Sequence, residues 1–319
     1  MSTNGQQRVA LEAESAWAAF SSRVQETLER LSQSGEPVSF FALVDTRGLP
    51  ELRAAMNRLQ SVPFVALWDE TDLAAHQDLS PLLIHVDPRT EDAGATQAVL
   101  QHLWQISDTE FMVTWICSAR DLKEVADHLR RYCEYTLPDR RAYYLHFYDN
   151  RVLERLRSVW MPDEFSGFAS IACELWYQQR AGEPGIWRSD AETPVAKTDE
   201  PLAMTHEQHL ALLSLGRVDK VVMQLRGLYG PLLEHFSPGQ IYLAARTQLE
   251  RATVHGVKDE ADMLLYVAKG LLVSARFDEH PKIHEQLQLA RYGDIPFSEV
   301  LSQVDSSIVD DLSNRKAQT

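Results

Sequence analysis

Apolar positions along the first half of the chain alternate between two rhythms, one helical and one extended. Trp17, Phe20, Val24, Leu28 and Leu31 fall on one stripe at helical spacing, which predicts a helix over 9–32 ended by Gly35 and Pro37. Residues 40–44, Phe-Phe-Ala-Leu-Val, form a short unbroken apolar run, the pattern of a strand covered on both faces. Further strands are expected at 62–68, 82–86, 111–117 and 143–148. Helices are expected over 49–59, over 95–106, and from a Ser118 cap through Leu122, Val125, Leu129 and Tyr132. Strands alternating with helices predict an α/β lobe whose mixed or mostly parallel sheet has about five strands. The stretch 165–177 adds a short helix and a further strand.

The rhythm changes after a polar, proline-bearing stretch, 189–203, which reads as a linker. Beyond it the pattern is helical only, so an all-α lobe is expected. Thr205-His206-Glu207-Gln208 and Ser237-Pro238-Gly239-Gln240 are capping boxes, and Gly230-Pro231 marks a kink or break between them. Another helix begins at Asp259. The expected organisation is an α/β lobe over 1–188, the linker 189–203, a helical lobe over 204–305 and a disordered tail over 306–319.

The stretch 138–156 is the most informative. Pro138-Asp139 signals a turn, a mostly aromatic or apolar run follows, and Asp149 stands at a helix N-cap before Val152, Leu153 and Leu156. The Pro-Asp-Arg turn, the aromatic strand and Phe147-Tyr148-Asp149-Asn150-Arg151-Val152-Leu153 together resemble the adaptor, or effector-chaperone, family of bacterial type VI secretion. So do Phe41-Ala42-Leu43-Val44-Asp45 followed by Pro50-Glu51-Leu52, Ser80-Pro81-Leu82-Leu83-Ile84, Trp115-Ile116-Cys117-Ser118 and His128-Leu129-Arg130-Arg131. The chain departs from the family pattern at Arg140, where glycine is usual, and at Asn150, where proline is usual. The resemblance covers most of 38–160 and, thinly, the helical tail. It implies a protein that holds a toxic effector by its N-terminal segment and hands it to the VgrG spike, by binding and without catalysis.

Composition narrows the partners. A net charge of −15 argues against nucleic acid and anionic membranes. Three widely spaced cysteines, Cys117, Cys133 and Cys173, fit neither a disulfide framework nor a zinc site. The polar start and the lack of any run near the roughly 18 apolar residues of a membrane span suggest a cytoplasmic protein. No phosphate-cradling loop, dinucleotide fingerprint or nucleophile elbow occurs, so no catalytic residue and no cofactor is expected. His206 with His209 and His280 with His284 are too few for a metal, and exposed or capping histidines are the simpler reading. Asp139, His146 and Asp149 could form an acid/base set, but Asp149 already serves as a cap.

Aromatic and basic residues carry the remaining expectations. Trp68, Trp104, Trp115, Tyr143, Tyr144 and Tyr148 should mostly be core, with some left for a docking surface. Arg130, Arg131, Arg140, Arg141, Arg151, Arg155 and Arg157 form a basic cluster that is either a solvated face or a site for an acidic segment. The partner-binding set drawn from these is Tyr144, Tyr148, Asp149, Arg151, Arg155, Arg140 and Arg141. Two other functions stay open: an enzyme using the arginine and aromatic surface, and an immunity-type protein that inhibits a toxin.

Overall fold

A computed structural model describes residues 3–33, 35–69, 71–89, 93–180, 182, 184–189, 202–293 and 295–305. The core of the expected linker, 190–201, and the expected tail, 306–319, lie outside the described residues. The chain divides into two compact units, Met1–Gln179 with Glu183–Leu212, and Arg180–Gly182 with Leu213–Thr319.

The first unit is built on a six-stranded sheet. In chain order its elements are α1 Thr3–Ser32, β1 Ser39–Val44, α2 Leu52–Arg58, β2 Phe64–Ala66, β3 Leu82–His85, α3 Ala93–Thr109 and β4 Val113–Ser118. There follow α4 Leu122–Arg130, β5 Glu134–Thr136, β6 Ala142–Tyr144, α5 Asn150–Val159, α6 Pro162–Ala169, β7 Glu174–Gln178, β8 Pro184–Arg188 and β9 Leu202–Ala203. The large sheet runs β2-β3-β1-β4-β7-β8, and every neighbouring pair in it is antiparallel. This corrects the expected mixed or mostly parallel sheet. The unbroken apolar runs report that both faces are covered, and coverage says nothing about strand direction.

Both faces are indeed covered. Phe41, Leu43, Ile116 and Leu175 point to one side, under Val125 and Leu129 of α4, Leu153 and Leu156 of α5 and Phe168 of α6. Phe40, Ala42, Val44 and Trp115 point to the other, against Val24 and Leu28 of α1, Met56 of α2 and Leu103 of α3. Each fully buried Val, Leu, Ile, Phe or Met side chain among them contributes about 1.5–3 kcal/mol over leaving it in water.

The stretch 143–148 is not a fifth strand of that sheet. Its first residues form β6, which belongs to a small separate sheet of order β6-β5-β9, and the backbone turns before α5. Strand β9 pairs parallel to β5, and Leu212 joins the core over that face, so the first unit runs on to Leu212. Ser118 is not a cap. It ends β4, where its hydroxyl donates to the Ile171 carbonyl, and Asp121 caps α4 in a reciprocal capping box with Glu124.

Helix α7, His206–Leu233, opens with the expected Thr205–Gln208 box. It breaks at Tyr229 (φ −126°), just before Gly230, where Pro231 lacks an N–H to donate. The second unit continues with α8 Pro238–Val254, α9 Glu260–Leu272, α10 Pro281–Tyr292 and α11 Phe297–Ser302. Its core joins Leu225, Ala245, Val267, Phe277, Ile283 and Leu301. Gly270 lets α8 and α9 approach, since a Cβ there would lie 2.3 Å from the Gln248 side chain. A buried carboxylate, Asp278, ties this unit together. It receives two bonds from Arg251, one from the Tyr266 hydroxyl at 2.6 Å, and lies 3.2 Å from His255 Nε2. Burial pushes its carboxyl up, but those donors outweigh burial and hold it far below the usual carboxylate range.

Candidate functional site

Two sequence stretches that stand about a hundred positions apart meet at one ion network. Asp45 ends β1 and caps the short turn Thr46–Gly48 by accepting from the Arg47 N–H. The Arg47 guanidinium folds back on Asp45, with Nη2–Oδ2 at 2.5 Å, and also reaches Asp149 Oδ2 at 3.1 Å. Asp149 caps α5 through the Arg151 N–H and holds the Arg151 guanidinium as well, at 2.8 Å. The expected cap is therefore present, and it is half of a larger device.

Burial alone would raise the Asp149 carboxyl. The bonds and charge of Arg151, joined by Arg47, overcome burial and keep it below the ordinary range, so it stays ionised. The bond to Asp45 raises Arg47 against the opposing effect of burial. Arg47 lies over the Tyr148 ring at 5.6 Å. Burial pushes the Tyr148 hydroxyl well up, and it meets His146 Nδ1 at 2.5 Å. Burial, followed by the charge of Arg47, lowers His146, so that imidazole is neutral at pH 7.

Asn150, beside the cap, is fully buried. Its N–H donates to Phe111 O, its Nδ2 donates to Val113 O, and its Oδ1 accepts from the Thr114 hydroxyl at 2.7 Å. A proline at this position could make none of these bonds. The signal was a polar residue at the first helical position after a cap, and only the neighbouring strand β4 gives it meaning.

The network orders the turn that opens a groove. Gly48 and Leu49, next to Arg47, begin an apolar groove of about 450 Å³ that runs between α2 and α3. Leu52 and Met56 of α2 and Leu59 at its C-cap face Val99 of α3 across it, and among the described residues Glu51 and His102 are its only ionisable lining groups. Such a lining can seat apolar side chains.

The expected partner-binding residues fall into two places. Tyr148 and Asp149 are inside the protein, 1% and 5% exposed, and act there as positioning groups for the turn. Arg151 belongs to the same network, and Arg155 Nε donates to the Arg151 carbonyl. Arg140 and Arg141 stand elsewhere, on the exposed β5–β6 hairpin, with Tyr144, whose side chain is 56% exposed. Arg141 pairs with Asp139 at 2.6 Å, and Arg140 takes φ +66° at the turn.

The other arginines anchor separate elements: Arg130 at Asp127 and the Leu67 carbonyl, Arg131 at His128, Arg157 at the Tyr177 hydroxyl. Trp68 and Trp115 are core, as expected. Asp139, His146 and Asp149 each serve different partners and do not form one acid/base set. His206 and His284 are exposed and His280 is the buried N-cap residue of α10, in line with the expected exposed or capping histidines, while the half-buried His209 bonds the Tyr135 hydroxyl. Among the described residues no group of three or more His, Cys, Asp or Glu is placed to hold a metal.

Residues 40–166 match the domain of unknown function DUF4123. DUF4123 is associated with type VI secretion. The match contains the groove, the ion network and both arms of the β5–β6 hairpin. It also contains the stretches that carry the sequence resemblance to secretion adaptors. No curated protein and no solved structure matches the chain. Among the described residues no helix is long and apolar enough to cross a membrane.

Proposed function

We propose that this protein is an adaptor that binds a type VI secretion effector and loads it onto the VgrG spike, by protein–protein contact and without catalysis. The DUF4123 match over 40–166 carries the reading. The groove between α2 and α3 supports it, because an apolar lining of this size suits the anchoring side chains of a cargo segment and shields them from water. Binding then stabilises the cargo by mass action, roughly 2.7 kcal/mol at a hundredfold excess over Kd. In this reading the chain works in the cytoplasm, before secretion.

The experiment is co-expression with a type VI effector toxin of the same organism, in catalytically inactive form, followed by solubility, gel filtration and intact mass. The expected result is a soluble complex with both masses unchanged. Ala98→Trp, which fills the groove from α3 at an exposed helical position, should weaken the complex while the melting temperature stays put. A toxin equally soluble alone, with no complex, overturns the adaptor reading. A changed toxin mass makes the protein an enzyme, and tight inhibition of the active toxin makes it an immunity protein.

A further inference from the structure

The small sheet ends in an open edge. Strand β6 pairs only with β5 among the described residues, in the register Glu134↔Tyr144, Tyr135↔Tyr143 and Thr136↔Ala142. Leu137 N–H donates to Arg141 O, and Leu145 N–H donates to Cys133 O. Residues 141, 143 and 145 therefore turn their main-chain groups toward β5. By the two-residue alternation of an antiparallel ladder, the N–H and C=O of Ala142 and Tyr144 point away from it. Both residues are exposed.

Strand β6 is short, three residues, but two other usual protections of an edge are missing here. No proline interrupts β6 and no charged side chain sits within it. At the opposite end of the large sheet, β8 is blunted by Pro184 and by Arg188, which folds onto Glu174. The edge strand β2 ends in Ala66, which is 1% exposed.

The β6 edge is also held rigid. Arg140 N–H closes a turn on Leu137 O, and Arg140 itself takes φ +66°, so residues 138–140 close the hairpin beyond the Leu137–Arg141 bond, with a left-handed third position. Behind the strand, the Tyr143 ring stacks on Tyr135 at 5.6 Å and packs on His209 at 4.6 Å.

We infer that this edge accepts an extended segment of the effector as an added strand, a contact that rests on the adaptor reading above. Side chains set the chemistry of the occupant. Tyr144, 56% exposed, offers its ring to a β-branched or aromatic residue on the incoming strand. Arg140, at the turn, has no carboxylate partner among the described residues, while its neighbour Arg141 pairs with Asp139. The incoming segment is therefore acidic at the end that lies beside the turn.

The test uses the full chain and the same inactive effector. Ala142→Pro removes one outward N–H that no internal bond uses, and Pro is tolerated at an edge. Ala142→Thr keeps the N–H and serves as its control. The expected result is an unchanged melting temperature in both variants, binding weakened about tenfold or more in Ala142→Pro only, and slowed hydrogen exchange at the Tyr144 amide of the wild-type complex. Should Ala142→Pro misfold, exchange at Tyr144 in the wild type decides alone.

A wild-type complex that Ala142→Pro binds equally well, with Tyr144 exchanging as fast as in the free chain, overturns the inference and leaves the adaptor reading standing. No wild-type complex overturns both. A dimer of this chain, or a complex with the spike alone, that Ala142→Pro abolishes would give the edge to a different occupant and overturn the inference as well.

Discussion

Lowering the pH should loosen the first unit, with His128 as a principal cause. This imidazole is 3% exposed, between α4 and α6. Its Nε2 lies 2.7 Å from the Phe168 carbonyl, and its Nδ1 lies 2.5 Å from Arg131 Nη2. A guanidinium only donates, so Nδ1 accepts and Nε2–H donates to the carbonyl. A second proton would have to enter at Nδ1, against the arginine. Burial, with the charge of Arg131 adding to it, lowers the pKa from 6.5 to about 4, although the bond to Phe168 opposes this.

The folded value lies below the unfolded one, so the unfolded chain takes up the proton first. The stabilisation is fully present above pH 6.5 and is lost as pH falls from 6.5 toward 4. A depression of that size corresponds to about 3 kcal/mol. The half-buried His85 and His146 are lowered by burial too and act in the same direction. The assay is therefore comparative: urea unfolding of wild type and His128→Gln between pH 7.5 and 4.5. Glutamine keeps a donor for Phe168 and does not titrate. The variant should be the less pH-sensitive of the two, by up to about 3 kcal/mol across the window. Parallel curves for the two proteins would refute the assignment.

Three further outcomes follow from the geometry. Asp149→Ala should cost about 2–3 kcal/mol by urea unfolding, more than the roughly 1 kcal/mol of a simple cap, because charged bonds to Arg47 and Arg151 are lost with it; a cost of a few tenths would mean the network is solvated. Arg140→Gly should stabilise the protein by up to about 1 kcal/mol, since φ +66° strains any residue with a Cβ; a lower melting temperature would show that the arginine side chain contributes more than the strain costs. Asp278→Asn should destabilise the helical unit by about 3 kcal/mol or more, leaving Arg251 short of its buried partner; protease resistance of residues 213–305 is the readout, and an unchanged cleavage rate would contradict it.

Much of this molecule was written locally. The N-cap at Asp149 and the boxes at Thr205 and Ser237 depend on a side chain reaching an N–H two or three residues away, so the sequence contains both partners. The run 40–44 announced a strand buried on both faces, and the switch from alternating strands to helices announced the helices that follow Thr205. The Asp45 and Asp149 stretches were each legible as motifs.

What joins them was not. Arg47 reaches Asp149 across 102 positions, and nothing in either stretch names the other. Strand direction was equally hidden, because apolar runs record coverage and not the sense of the hydrogen-bond ladder. Tyr144 and Tyr148 read alike as aromatics of one strand, yet one is 56% exposed and the other 1%. Four residues apart, they would share one face of a continuous strand, but the strand ends at Tyr144 and the chain turns before Tyr148, so the alternation stops applying. Asn150 looked like a departure from a family pattern until β4 and the residue Phe111 just before it supplied three partners for it. In each case the deciding energy lies in a contact between segments remote in sequence, and only the folded chain sets which segments meet.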